Sequence, residues 1–135
     1  MTKHESIIRW FNECPYVDNI QTAQTDDDVA GLYKMATISK ETYIDGTELI
    51  TENYYILFKR NSAIEENRKK NVDIVEKVEN WIIEQNEAEY FPFRNVQSIE
   101  QTNAGYLIGT ENNTSIYQIN IAITYMRGVP NDQEE

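Results

Sequence analysis

Residues 117–125 read Tyr117-Gln118-Ile119-Asn120-Ile121-Ala122-Ile123-Thr124-Tyr125. Every odd position carries a bulky apolar or aromatic side chain. The even positions carry Gln118, Asn120, Ala122 and Thr124. Successive side chains of a strand point to opposite faces, so this alternation specifies a strand buried on one face and wetted on the other. Such a strand needs paired neighbours and a cover for its apolar face.

The neighbours lie upstream. After Pro92 the period is two, with a strand expected over Val96–Gln101, a turn at Asn103-Ala104-Gly105 and a short strand over Tyr106–Gly109. Glu111-Asn112-Asn113 reads as another turn. Asn112-Asn113-Thr114 matches a glycosylation triplet, but nothing indicates secretion, so the turn reading is kept. Further back, residues 32–44 are strand-like, and so are residues 49–60, where Tyr54, Ile56 and Phe58 alternate with Tyr55, Leu57 and Lys59. Asp45-Gly46 lies between the two runs and favours a hairpin through a type I′ turn, which needs positive φ at both central residues. The distal half, Glu41 to Glu52, is more polar than the base, so the hairpin is expected to project beyond the core as an arm.

The cover is helical. Thr2-Lys3-His4-Glu5 fits a capping box, Ile7, Ile8, Phe11 and Cys14 recur at helical spacing, and Pro15 stops the pattern, giving a helix over about residues 3–13. A second capping box, Ser62-Ala63-Ile64-Glu65, precedes Ile74, Val75, Val78, Trp81 and Ile82, one apolar stripe of an amphipathic helix over about 62–86. The expected order is α-β-β-α-β-β-β. It describes one α+β domain over residues 1–128, with a hairpin and a three-stranded meander in a mostly antiparallel sheet and a long helix across one face. Residues 129–135 form an acidic tail expected to be flexible.

Composition excludes several functions. The chain has 135 residues, 40% apolar and 26% charged, which suits one soluble globular domain. Its net charge of -11, from 12 basic and 23 acidic residues, disfavours general nucleic-acid binding and anionic membrane surfaces alike. No apolar run approaches the ~20 residues of a membrane span. The N-terminus opens no apolar stretch of signal-peptide length, so synthesis in the cytoplasm is expected.

Catalytic signatures are equally sparse. Cys14 is the single cysteine and reads as a small buried hydrophobe; His4, the single histidine, lies on another part of the same short helix. Asp26-Asp27-Asp28 followed by Gly31 resembles a calcium loop, but Ala30 and Thr37 stand where ligands are required, so a solvated loop is expected. Glu87 and Glu89 near a helix end read as exposed carboxylates rather than a catalytic pair. The five glycines are scattered at turns, with no phosphate loop among them. No enzyme, cofactor or metal site is expected.

Two features point to contacts with other molecules. Arg68, Lys69 and Lys70 cluster early on the long helix of an acidic chain; a solvated helix turn is one reading and a docking patch for an acidic neighbour the other. The nine tyrosines are many for this length, and Tyr33, Tyr43, Tyr54 and Tyr55 all lie on the hairpin. Tyrosine suits interfaces because it buries a ring while its hydroxyl stays hydrogen-bonded.

Taken in order, Tyr43-Ile44-Asp45-Gly46 at a hairpin tip, the strand Tyr54-Tyr55-Ile56-Leu57-Phe58, the helix segment Val78-Glu79-Asn80-Trp81-Ile82 and the closing strand 117–125 carry a resemblance. From the first helix to about Arg127, the chain resembles the minor capsid proteins of the tail terminator family in phages and prophages of Gram-positive bacteria. The resemblance implies a non-enzymatic virion protein. It would end tail-tube growth and join the tail to the head connector as a homo-oligomeric, typically hexameric ring. Its partners would be the tail tube protein and the connector proteins, with DNA passing through the centre without specific binding. Another neck or head-completion protein, or a small-ligand-binding α+β domain, are the alternatives. Under the ring reading, the residues expected at the assembly interface are Tyr43, Asp45, Gly46, Tyr54, Arg68, Lys69 and Lys70.

Overall fold

The computed structural model describes residues 2–16, 20–21, 30–61, 65–111 and 113–128. Its elements run α1 (Lys3–Phe11), β1 (Ile20–Gln21), β2 (Ala30–Thr42), β3 (Glu48–Asn61), α2 (Glu65–Glu87), β4 (Val96–Gln101), β5 (Tyr106–Glu111) and β6 (Thr114–Arg127). The fold is α+β in the expected order, with β1 added. That two-residue strand pairs parallel to the start of β2, in a stretch whose sequence shows no period. The acidic loop at Asp26–Asp28, the capping box at Ser62 and the tail at 129–135 lie outside the described residues.

β6 organises the sheet. It pairs antiparallel with β3 along its whole length, from Glu48↔Arg127 to Asn61↔Thr114. Its other edge is shared end to end: β4 takes Ile121–Tyr125 and β5 takes Thr114–Gln118. The three last strands are therefore not a simple meander. β6 is a 14-residue strand and the other two have six residues each, so both fit in tandem along one edge. The sheet order is β1-β2-β3-β6-β4, with β5 beside β6.

The odd residues of β6 and the even residues of β3 share the covered face. Ile119, Ile121 and Ile123 lie with Ile50, Tyr54, Ile56 and Phe58 in one buried cluster under both helices. α2 contributes Val75, Val78, Trp81 and Ile82, with Ile74 only partly buried at the margin. α1 contributes Ile7, Trp10 and Phe11, and the Trp10 and Trp81 rings meet at 4.7 Å between centroids. Cys14 is buried in the same cluster. No described element covers the other face, where Tyr33 stacks on Tyr55 and the Thr51 and Thr124 hydroxyls lie 2.9 Å apart.

The helix ends follow local chemistry. The capping box at Thr2 and Glu5 forms in both directions, and α1 ends at Phe11 with Asn12 as its C-cap. α2 ends with Glu89 at φ 55, the Tyr90 N–H donating to the Gln85 carbonyl and the Glu89 N–H to that of Asn86. That is a Schellman closure with glutamate in the place usually taken by glycine. Gly105 has a packing reason: a Cβ there would lie 2.5 Å from Val75 Cγ1, so α2 and the β4–β5 connection could not approach as they do.

Candidate assembly surface

The hairpin β2–β3 was expected to carry the functional tip, and its distal end is the most exposed part of the sheet. Every residue from Ala36 to Gly46 is exposed. It is not a free two-stranded arm, because β6 accompanies β3 to its first residue. The end is three strands wide and reaches beyond the helices. No described strand pairs with the outer edge of β2 beyond Gly31.

The turn differs from the type I′ expected. The Gly46 N–H donates to the Tyr43 carbonyl at 3.0 Å, and the Tyr43 N–H donates to the Thr47 carbonyl at 2.8 Å. Gly46 has φ 92, while Asp45 is not among the residues with positive φ. This is a three-residue loop, a tight turn closed by a glycine bulge. Asp45 stays in the ordinary region because its carboxylate has local work. It accepts from the Thr47 N–H at 3.0 Å and the Thr47 hydroxyl at 2.7 Å, bonds that hold its carboxyl below the usual range. Ile44 stands wholly outside the fold and Tyr43 is 42% exposed beside it.

Two polar clusters stiffen this end. Glu48 on β3 accepts from Arg127 of β6 at 2.6 Å and lies 3.3 Å from Lys40 of β2, so one carboxylate ties three strands. Its hydrogen bonds with Arg127 and Lys40 keep it ionised below the ordinary carboxylate range. Four residues along, Glu52 is 3% exposed on the covered face. It accepts from the Tyr54 hydroxyl at 2.8 Å and the Tyr125 hydroxyl at 2.9 Å, with Lys3 at 3.4 Å and Lys34 at 3.5 Å. Burial alone would raise the Glu52 pKa. The two tyrosine hydrogen bonds and the two lysine charges outweigh it and hold the carboxyl below its ordinary value. Burial and the Glu52 charge push the Tyr54 hydroxyl far up, so it remains a donor. Lys3 also donates to the Tyr125 hydroxyl at 2.7 Å, which anchors the start of α1 to β6.

The expected interface residues therefore separate. Tyr43, Asp45 and Gly46 come together at the exposed tip. Tyr54 does not join them: it is 2% exposed, in the core under the helices, with its hydroxyl on Glu52. Its even position on β3 puts it on the covered face, and Tyr55, the odd neighbour, faces away. Lys69 and Lys70 are exposed on α2, remote in sequence from the tip; Arg68 belongs to α2 and its side chain lies outside the described residues. Glu87 and Glu89 are both exposed.

Among the described residues, no group of three His, Cys, Asp or Glu side chains is placed to hold a metal, and no helix is long and apolar enough to cross a membrane. A groove of about 600 Å3 opens between the end of α2 and β4, lined by Glu79, Ile82, Ile83, Asn86, Ile99 and Gln101. Part of this lining closes a sheet edge: the Asn86 side chain accepts from the Ile99 N–H at 2.9 Å, and Gln101 donates to Glu79. β4 is thus capped by α2, whereas β5 exposes Tyr106, Leu107 and Ile108 in succession. No family model matches the chain, and no curated protein matches it.

Proposed function

We propose that the chain is a structural virion protein of a tailed phage or prophage that ends tail-tube growth and joins the tail to the head connector as a ring. The protein is made in the host cytoplasm and retained in the virion. The carrying observation is the stiffened hairpin end, which presents Ile38, Tyr43 and Ile44 outside the fold on a three-stranded base. Exposed apolar anchors on a rigid support suit a contact with another protein, because little conformational freedom is lost on docking.

The sheet edges support a ring. One edge is the distal half of β2 and the other ends in β5, two unlike surfaces on opposite sides of one molecule. Contacts between unlike surfaces are heterologous, and they close into a ring or run on as a filament. The net charge of -11 suits a conduit, since like charge on the lumen keeps passing DNA from sticking. The tail tube protein and the connector are the partners on the two ring faces, and six copies make the ring.

The test separates folding from assembly. Tyr43→Ala touches no core contact, so melting of the isolated variant should shift stability by no more than about 0.5 kcal/mol. Loss of a buried interface aromatic costs ~2 kcal/mol or more, so head–tail joining in a complementation assay should fail or fall sharply. Normal melting together with normal joining contradicts a role for the tip.

A further inference from the structure

We propose that α2 is a self-docking face, through which two copies of the chain pair antiparallel about a two-fold axis midway between Glu76 and Asn80. The surface is separate from the hairpin end, and the inference does not rest on the ring reading. α2 turns its apolar stripe to the sheet and presents a second stripe outward. Along its midline lie Lys69, Glu76, Asn80 and Glu87, all exposed. The flank carries the two exposed aliphatic residues of the helix, Val72 at 51% and Ile83 at 50%. At 3.6 residues per turn these two stand about three turns apart on nearly one line.

The stripe is complementary to its own reverse. Laid antiparallel on a second copy, Lys69 of one chain meets Glu87 of the other, and Glu76 meets the neutral Asn80. A two-fold axis lying in the interface keeps each flank facing its like, so Val72 of one copy lands beside Ile83 of the other, twice. On the opposite flank, Lys70 reaches Glu84. On the basic half the acids with described side chains are Asp73 and Glu76; Glu76 faces the neutral Asn80, and Asp73 lies one turn from both Lys69 and Lys77 on its own helix. A parallel pairing would stack lysine on lysine and glutamate on glutamate. The charge order thus selects one orientation as well as one partner.

The charge order is not explained by the helix alone. The last turn of α2 has no basic residue, while Glu84 and Glu87 sit at the carbonyl end, where the helix dipole disfavours carboxylates. A lysine-bearing partner offsets that repulsion. The basic cluster noted in the sequence then finds its acidic neighbour in a second copy. One helix pair is a small interface, so the dimer belongs with weak, concentration-dependent associations.

Charge reversal in the full chain gives the test, read by sedimentation equilibrium over a wide concentration range. Lys69 and Glu87 lie about 27 Å apart along α2, so they cannot interact within one chain. A reversal breaks two contacts in a symmetric dimer, so Lys69→Glu or Glu87→Lys alone should raise the dimer Kd by roughly tenfold. The double variant Lys69→Glu/Glu87→Lys re-forms both pairs with the signs exchanged and should restore the original Kd. Salt should weaken the wild-type dimer. All three variants change exposed side chains, and thermal melting verifies that they fold. A wild-type chain that stays monomeric throughout, single reversals without effect, or a double variant that remains weakened would each overturn the pairing.

Discussion

Glu52 is the residue on which the hairpin end turns. It is a buried carboxylate satisfied by two tyrosines and two lysines from four elements, and leaving any of them without it is costly. Replacing it with glutamine keeps the shape and removes the charge. Glu52→Gln should lose about 1–3 kcal/mol at neutral pH, the scale of hydrogen bonds to a charged group. The sign of the pH dependence follows from its lowered pKa. Stability from Glu52 is complete above the ordinary carboxylate value of 4.5 and is lost as pH falls through the lower folded value. Denaturant titrations should therefore show wild type and Glu52→Gln apart at pH 7 and converging toward low pH; curves that stay parallel would mean Glu52 is not the coupled group. The site was legible in principle, because an acid stands at an inward position of the alternation Ile50, Glu52, Tyr54, Ile56, Phe58. Reading Tyr54 by its place on the hairpin rather than by its phase put it on the surface, and the same phase rule would have returned it to the core.

The elements were more legible than their connections. Strong periodicity located β6 and α2 to within a few residues, because one polar and one apolar phase leave little freedom of assignment. Trp81 sits where that pattern placed it, 7% exposed against Trp10 and Phe11. Trp81→Ala should cost ~3–5 kcal/mol in denaturant unfolding, and a change within about 0.5 kcal/mol would remove Trp81 from the core. Three features were hidden. β1 pairs with β2 over two residues only, too few to make a period. The tandem placement of β4 and β5 depends on the length of β6, which local patterns do not compare. The Asp45-Gly46 turn took its bulged form because the Asp45 carboxylate prefers its bonds to Thr47 over a left-handed backbone.

For the whole molecule, the two helices lie on one face of the sheet, the exposed hairpin end extends past them, and the strand edges differ on the two sides. That asymmetry suits the proposed head-to-tail ring, and the outward stripe of α2 is the face of the proposed two-fold contact. Neither assembly could be read from periodicity, which reports burial within one chain and not the surfaces left over. The most direct test of the proposed role uses tail tubes of the kind of phage to which the proposal assigns the chain, prepared in its absence and viewed by electron microscopy before and after the purified protein is added. The account predicts tubes of uncontrolled length with bare ends beforehand, and a ring seated on one end of each tube afterwards. Tubes of normal length that join heads without the protein, or ends that stay bare when it is present, would contradict it.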